Sequence, residues 1–342
     1  MKPAYSSDFA KGSLFPGGRR QKAARNFTLW GIPCLIPAVY RFPEGIVFDL
    51  FSFPAAEKLR DFYETYSPIE DTLSSAALRK LEGEHPCPLP SPRKLSVNGL
   101  PAPEWDSQSF LHMSWAPEKN SPVRLLEKRY GKFLRDAPCF SCQRFRVPFP
   151  QALQKTGLRG KLFPSRISSL SITFDAREGF FPLELEIPLK GPSGTKNCAE
   201  ISFQHPETGV VHTLWLQGAP PEKLPGEEAL WVSSVQYETS PPLREGETFC
   251  FDSSISISRK GEGFSPDAAE HASIGIIGGA DGPTALFLHA LETEPSAPLG
   301  PHGLPVHYTF TRPARRPEDA DCCFLSGIAF QKEAEKTVIF SF

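Results

Sequence analysis

The chain has 342 residues, enough for two ordinary domains, and 40% of them are hydrophobic, so a substantial buried core is expected. The formal net charge is -2, which excludes a global attraction to nucleic acid or to an anionic membrane surface. The 36 prolines, about twice the usual ~5%, argue against long helices, because proline lacks a backbone donor and clashes with the preceding helical turn.

The first half predicts a basic tail followed by a mixed α+β domain. Residues 1–25 contain six basic residues and no apolar segment of the kind that a secretory signal needs, so we expect a disordered tail. Residues 26–150 alternate between strand and helix patterns. The predicted elements, in chain order, are a hairpin turning at Glu44-Gly45, helices over 55–66 and 73–82, strands over 94–97 and 110–115 with a turn at Asn98-Gly99, a helix with its apolar stripe from Val123 to Leu134, and a strand over 139–149.

The second half predicts strands almost throughout. Apolar and polar residues alternate in Leu170–Phe174 and Leu183–Ile187, and similar stretches follow at fairly regular spacing up to Phe342. A mixed, basic stretch over 148–164 is the expected boundary between the two halves. The fold class predicted is therefore α+β, mainly antiparallel β, with a β-sandwich domain over 165–342 that follows the mixed α/β region.

The cysteines and histidines do not form a recognisable metal motif. Cys139 and Cys142 have metal-ligand spacing, but a zinc ribbon needs a second such pair and the chain has none. His205 and His212 flank a predicted turn and could approach each other, yet the sequence suggests no third ligand, so we interpret them as ordinary strand histidines. The eight cysteines are expected to be reduced thiols in the cytoplasm, and no metal or cofactor is predicted.

The most unusual stretch is Ser273–Leu288, in which four glycines, Pro283 and a lone Asp281 lie between two apolar flanks. This stretch resembles the Gly-Gly-Ala-Asp-Gly-Pro-Thr signature of the beta subunit of sodium-translocating decarboxylases, over about sixteen residues. The resemblance implies a bacterial protein. In that family the motif lies within a bundle of membrane helices and its aspartate takes part in sodium and proton coupling, a role that would map onto Asp281 alone.

The surroundings of the motif favour a different structure from the one in that family. A single segment over 272–291 with a central aspartate, which costs ~2.5–3.5 kcal/mol to insert, would not enter a membrane alone, and the chain has no second hydrophobic segment to shelter it. We expect two strands, Ile274–Ile277 and Thr284–Leu288, joined by a loop over Gly278–Pro283. Glycine-rich backbone can bind an anion through its amides, and Asp281 could instead help to hold a cation.

These patterns leave three hypotheses about function. The first is a soluble, cytoplasmic, non-enzymatic interaction or structural protein with a possible protein partner and no nucleic-acid or membrane partner. The second is a small-ligand- or ion-binding protein or an enzyme, with its site near the loop and nearby His271 or His289. The third, supported by the motif alone, is a component like the decarboxylase beta subunit. The candidate binding residues are Gly278, Gly279, Asp281, Gly282, Pro283 and Thr284, and no catalytic residue is predicted.

Replacement of Asp281 tests whether the loop is a binding site. If it is, one ion or metabolite in a thermal-shift screen should raise the melting temperature of the wild-type chain and have no effect on Asp281→Ala. The same shift in both proteins would show that the loop is a structural turn.

Overall fold

The computed structural model describes residues 2–13, 18–116, 122–154, 165–189, 197–224, 230–252 and 298–342. The helices are α1 Ala56–Tyr66, α2 Ser75–Glu84 and α3 Val123–Leu134. The strands are β1 Lys2–Pro3, β2 Gly12–Ser13, β3 Arg19–Leu29, β4 Ile32–Arg41, β5 Gly45–Ser52, β6 Pro92–Val97, β7 Leu100–Pro101, β8 Asp106–Met113, β9 Cys139–Pro148, β10 Ser169–Phe174, β11 Arg177–Pro188, β12 Cys198–Gln204, β13 Val211–Gly218, β14 Glu222–Lys223, β15 Trp231–Val232, β16 Ser234–Ser240, β17 Glu247–Phe251, β18 His307–Phe310, β19 Cys322–Glu333 and β20 Lys336–Ser341.

Residue contacts divide the chain into two compact units. The first comprises Met1–Ser74, Leu78–Gly179 and Gln331–Phe342, and the second comprises Ser75–Ala77 and Phe180–Phe330. All strand pairs whose register is resolved are antiparallel, which confirms the predicted α+β, mainly antiparallel fold class.

A five-stranded sheet with the order β3-β4-β5-β9-β8 forms the centre of the first unit. Along β5, Ile46, Phe48 and Leu50 pack on one face against a second sheet, β20-β10-β6-β7. The alternate residues Val47 and Phe51 pack on the other face against α3. Because successive strand residues point to opposite faces, this one strand contributes to two separate hydrophobic cores.

A β-bulge in β4 keeps both faces of this sheet apolar. The register changes between Leu35↔Phe51 and Val39↔Phe48, so β4 has one more residue than β5 over this stretch. Pro37 lies inside the irregularity, where a residue without a backbone donor is tolerated. After the bulge, the Ala38 side chain packs on the face that contacts α3, and the Val39 side chain packs on the face that contacts the second sheet. The strand is therefore buried on both faces.

A buried ion pair lies on the helix face of the same sheet. Asp49 and Arg144 are directly opposite in the β5–β9 ladder, and the Arg144 Nε donates to Asp49 Oδ1 at 2.7 Å. The Tyr130 hydroxyl of α3 donates to Asp49 Oδ2 at 2.8 Å, and the Arg144 guanidinium lies 4.4 Å from the Phe9 ring centroid. Burial lowers the pKa of Arg144, but Asp49 raises it more, so the guanidinium stays charged.

The second unit contains two sheets that share one hydrophobic cluster. The sheets have the orders β11-β19-β17 and β12-β13-β16-β18. Leu325 and Ile328 of β19 pack in the same cluster as Leu214 and Leu216 of β13, with Val235 of β16. Two antiparallel sheets with a common core form a β-sandwich, as predicted.

The boundaries predicted for the domains differ from the two compact units. The sequence predicts a sandwich domain over 165–342, but β10 pairs with β6 and β20, and all three belong to the first unit. Alternation identifies the buried face of a strand but does not identify the partner strand, and Leu170 and Phe340 pack in the first unit's core.

The predicted disordered tail over 1–25 is also contradicted in part, since β3 begins at Arg19. This strand lies at the edge of its sheet, where exposed Lys and Arg are common and prevent edge-to-edge aggregation. A basic composition alone therefore does not distinguish a tail from an edge strand.

Removing the carboxylate of the buried ion pair should destabilise the protein strongly. Asp49→Leu leaves Arg144 buried without its partner, and we expect a loss of about 3–5 kcal/mol in unfolding free energy. Arg129 is a second cation beside this carboxylate, with its Nη1 3.8 Å from Asp49 Oδ2. The double variant Asp49→Leu/Arg144→Met should therefore recover only part of that loss, because it removes Arg144 but leaves the charge of Arg129 without that carboxylate. Urea unfolding measures both values.

The Arg146–Asp106 ion pair on adjacent strands provides a matched control. Arg146 Nε donates to Asp106 Oδ2 at 2.7 Å, but the two side chains are 33% and 44% exposed. Asp106→Asn should cost about 1 kcal/mol or less. Equal losses in Asp49→Leu and Asp106→Asn would contradict a special role for the buried pair.

Candidate functional site

The predicted binding loop lies outside the described residues. Gly278, Gly279, Asp281, Gly282, Pro283 and Thr284 all fall within 253–297, as do His271, His289 and both strands of the predicted motif hairpin. In the sequence this segment follows β17 and precedes β18. The loop therefore remains a prediction, and the structure describes only the residues on either side of it.

Glu238 of β16 organises the turn that follows this segment. Its carboxylate accepts hydrogen bonds from the backbone amides of His302, at 3.1 Å, and Leu304, at 3.2 Å. The His302 Nδ1 is 2.8 Å from the second carboxylate oxygen, and the His302 ring stacks on Trp215 at 4.5 Å. A Cβ on Gly300 would overlap the carboxylate, so any larger residue at that position would displace it.

These hydrogen bonds fix the charge state of Glu238. Burial raises the pKa of its carboxyl, but the hydrogen bonds from His302 and from the amide of Leu304 lower it more, so the pKa lies below its ordinary value. All of these partners belong to a single turn of the chain. Glu238 therefore acts as a structural anchor for residues 300–304.

The hairpin of β12 and β13 brings His205 and His212 together, with ring centroids 5.9 Å apart. The His205 Nδ1 accepts from the amides of Glu207 and Thr208, at 3.1 and 3.2 Å. The His212 Nδ1 lies 2.7 Å from the carbonyl oxygen of Pro241, which can only accept, so His212 carries a proton on Nδ1. Each imidazole ring is thus hydrogen-bonded to backbone groups of the second unit.

Glu247 lies beside this histidine pair, and no pattern in the sequence pointed to it. Its Oε1 is 3.3 Å from His205 Nε2, and its carboxylate also pairs with Arg244. Burial raises the pKa of Glu247, but its hydrogen bonds with Arg244 outweigh burial and lower it below the ordinary value. Across the ranges that the structure describes, no group of three or more His, Cys, Asp or Glu side chains could hold a metal ion.

Four buried thiols are poor nucleophiles because of their surroundings. Burial raises the pKa of Cys87 to about 11 and that of Cys323 to about 12. The pKa of Cys142 lies well above its ordinary value for the same reason, and Cys139 is shifted upward too. Because the thiolate is the reactive and metal-binding form, these residues act as small apolar side chains.

A pocket of about 540 Å³ lies between the β3–β4 hairpin and the C-terminal turn of α3. We call it the aromatic pocket. It is lined by Asn26, Phe27, Thr28, Pro33, Cys34, Leu35, Phe53, Lys132 and Phe133.

The aromatic pocket combines apolar walls with cationic groups at its rim. Phe27, Phe53 and Phe133 are each partly exposed, so part of each ring remains available for contact. The exposed Lys132 has its Nζ 4.4 Å from the Phe133 ring centroid. Lys336 Nζ donates to the carbonyl of Thr28, which adds a second ammonium group beside the lining residues.

Sequence patterns gave no indication of this pocket. Its lining comes from β3, β4, the residue after β5, and α3, which are separated by up to about a hundred residues in the chain. Of the apolar residues that form it, Phe133 lies on the helix predicted from its apolar stripe, whereas no individual strand was predicted for Phe27. Their convergence depends on the order of strands in the sheet, which single-sequence patterns do not specify.

No described helix is both long and apolar enough to span a membrane. Comparisons of the chain with protein-family models, curated proteins and solved structures found no match.

The Glu238 anchor predicts a specific pH dependence. A carboxyl whose pKa is lowered on folding contributes stability above its unfolded pKa of ~4.5, and this contribution is lost as pH falls through the folded value. Glu238→Gln should therefore be less stable at pH 7 by about 1–3 kcal/mol and should lose less further stability on acidification than the wild type.

Urea unfolding between about pH 7 and pH 3 measures this difference. Glu200→Gln, which replaces an exposed carboxylate on β12, is the matched control and should follow the wild-type profile. Parallel pH profiles for the wild type and Glu238→Gln would contradict the proposed anchor.

Proposed function

We propose that the protein is a cytoplasmic, non-enzymatic binding protein whose aromatic pocket holds a ligand with an apolar ring and an acidic group. The observation that carries this proposal is the combination of Phe53 and Phe133 as apolar walls with Lys132 at the rim. Ligand pockets in proteins commonly pair an apolar lining with a few polar groups that fix orientation.

The lining accounts for both parts of the ligand. Covering about 100 Å² of apolar ligand surface contributes about 2.5 kcal/mol, which favours a ring the size of a phenyl group or larger. The exposed Lys132 adds about 1 kcal/mol or less for a carboxylate, since solvent screens such a pair. Together these values limit the affinity for a single-ring acid to a dissociation constant of about 1 mM or weaker, because the entropic cost of association opposes them.

The surroundings of the other reactive groups support a non-enzymatic role. His205 and His212 make hydrogen bonds with backbone of their own hairpin and its neighbouring turn. Glu238 is bound by the turn over 300–304, and the pKa of the Cys87 thiol is raised. The histidines and Glu238 stabilise the fold through these hydrogen bonds. The phenylalanine rings of the aromatic pocket are partly exposed and are therefore available to contact a ligand.

Ligand titration tests the pocket, with 2-naphthoate and its uncharged counterpart 2-naphthamide as probes. The wild type should bind the acid more tightly than the amide. Lys132→Gln should weaken binding of naphthoate by about fivefold or less and leave naphthamide unaffected, because it removes only the charge. Phe133→Ala should weaken both probes, because it removes an apolar wall. Fluorescence or NMR titration provides the dissociation constants.

Lys128 of the same helix provides the matched control, because it is exposed and does not line the pocket. Lys128→Gln should bind both probes as the wild type does. Wild-type affinity in Phe133→Ala would show that the probes bind elsewhere. Turnover of a bound acid that disappears in Phe133→Ala would show an enzyme instead of a binding protein.

A further inference from the structure

Two arginines lie opposite each other at one end of the β3–β4 ladder. Arg19 and Arg41 are direct cross-strand partners, so their side chains project on the same face of the sheet. Like charges in directly opposed positions destabilise an antiparallel pair. Arg19 is exposed and Arg41 is partly buried, so the repulsion at Arg41 is only partly screened by water.

A third arginine is held beside this pair by the segment that precedes β10. Arg41 Nη1 donates to the carbonyl of Ser165 at 3.2 Å, and Gln21 Nε2 donates to the carbonyl of Ile167 at 2.7 Å. These two bonds fix the backbone on both sides of Arg166. The carbonyl of Arg166 itself accepts from Asn98 Nδ2 at 3.0 Å, so its backbone is fixed from a third direction.

The charges of Arg19 and Arg166 both act on Arg41. Burial lowers the pKa of Arg41, and the charges of Arg19 and Arg166 lower it further. Its Nε is buried and has no hydrogen-bond partner among the described residues. A buried donor without a partner is costly, and here it is accompanied by unfavourable repulsion between like charges.

We propose that Arg19, Arg41 and Arg166 form a binding site for a phosphate group, either free phosphate or a small phosphate monoester. A guanidinium presents parallel donors that match the oxygens of a phosphate or carboxylate. A phosphate monoester carries about -1.5 to -2 charges at neutral pH and so balances more of three positive charges than one carboxylate does. It would also give the Arg41 Nε an acceptor.

This arginine site is separate from the aromatic pocket. Arg19 pairs with Arg41 at one end of the ladder, and Thr28, which lines the pocket, pairs with Pro33 near the other end. Nine strand residues at about 3.3 Å each place the two sites about 25–30 Å apart. Failure of either proposal leaves the other intact.

Inorganic phosphate is the probe for the test, with the full chain at low ionic strength and potassium acetate as the matched salt. Phosphate should raise the melting temperature of the wild type saturably, by about 2–4 °C, and acetate should raise it less. Calorimetric titration should give a dissociation constant at least tenfold higher for Arg19→Gln and for Arg166→Gln. Both substitutions replace exposed side chains, so both variants should fold.

A matched control separates a binding site from a general effect of removing one positive charge. The control is Arg20→Gln, since Arg20 pairs with Tyr40 and projects on the other face of β3. Its phosphate affinity should stay within about twofold of the wild type.

Two results would overturn the proposal. One is an equal phosphate-induced shift in the wild type, Arg19→Gln and Arg166→Gln, which would indicate a general salt effect on stability. The other is a loss of phosphate affinity in Arg20→Gln as large as that in Arg19→Gln, because the two side chains project on opposite faces of β3.

Discussion

The buried ion pair between Asp49 and Arg144 is the constraint on which the first unit depends. It joins β5 to β9 at the centre of the five-stranded sheet, and Tyr130 ties α3 to the same carboxylate. Each partner alone would be a desolvated charge, whose effective penalty is several kcal/mol. The pair therefore selects one strand register and one position of the helix, since a shift of either would leave a charge buried without its partner.

Local signals in the sequence predicted the elements well, and long-range pairing much less well. Asn98-Gly99 was identified as a turn, and the structure has positive φ at both residues between β6 and β7. The β3–β4 hairpin turns in the same way at Trp30-Gly31, but tryptophan is rarely found at positive φ, so the sequence did not reveal that turn. The mainly antiparallel fold class was correct, whereas the assignment of β10 to the second half was wrong.

The candidate sites were harder to predict than the fold, for a physical reason. The aromatic pocket and the arginine site each combine side chains from separate elements, so their chemistry exists only after the sheet order is fixed. Sequence reasoning instead favoured Asp281 and its glycines, a contiguous motif that lies outside the described residues. The approach of His205 and His212 was the exception, because a short hairpin determines it locally.

The position of β20 has a consequence for how the protein is made. This strand pairs with β10 and completes a sheet of the first unit, yet it follows every residue of the second unit in the chain. A ribosome therefore synthesises the whole sandwich before it delivers the strand that carries Phe340. Until β20 is synthesised, one edge of β10 has no partner strand, and the core position that the Phe340 ring fills is open to solvent. An exposed strand edge and exposed apolar surface promote aggregation, so a nascent chain at this stage would benefit from a chaperone.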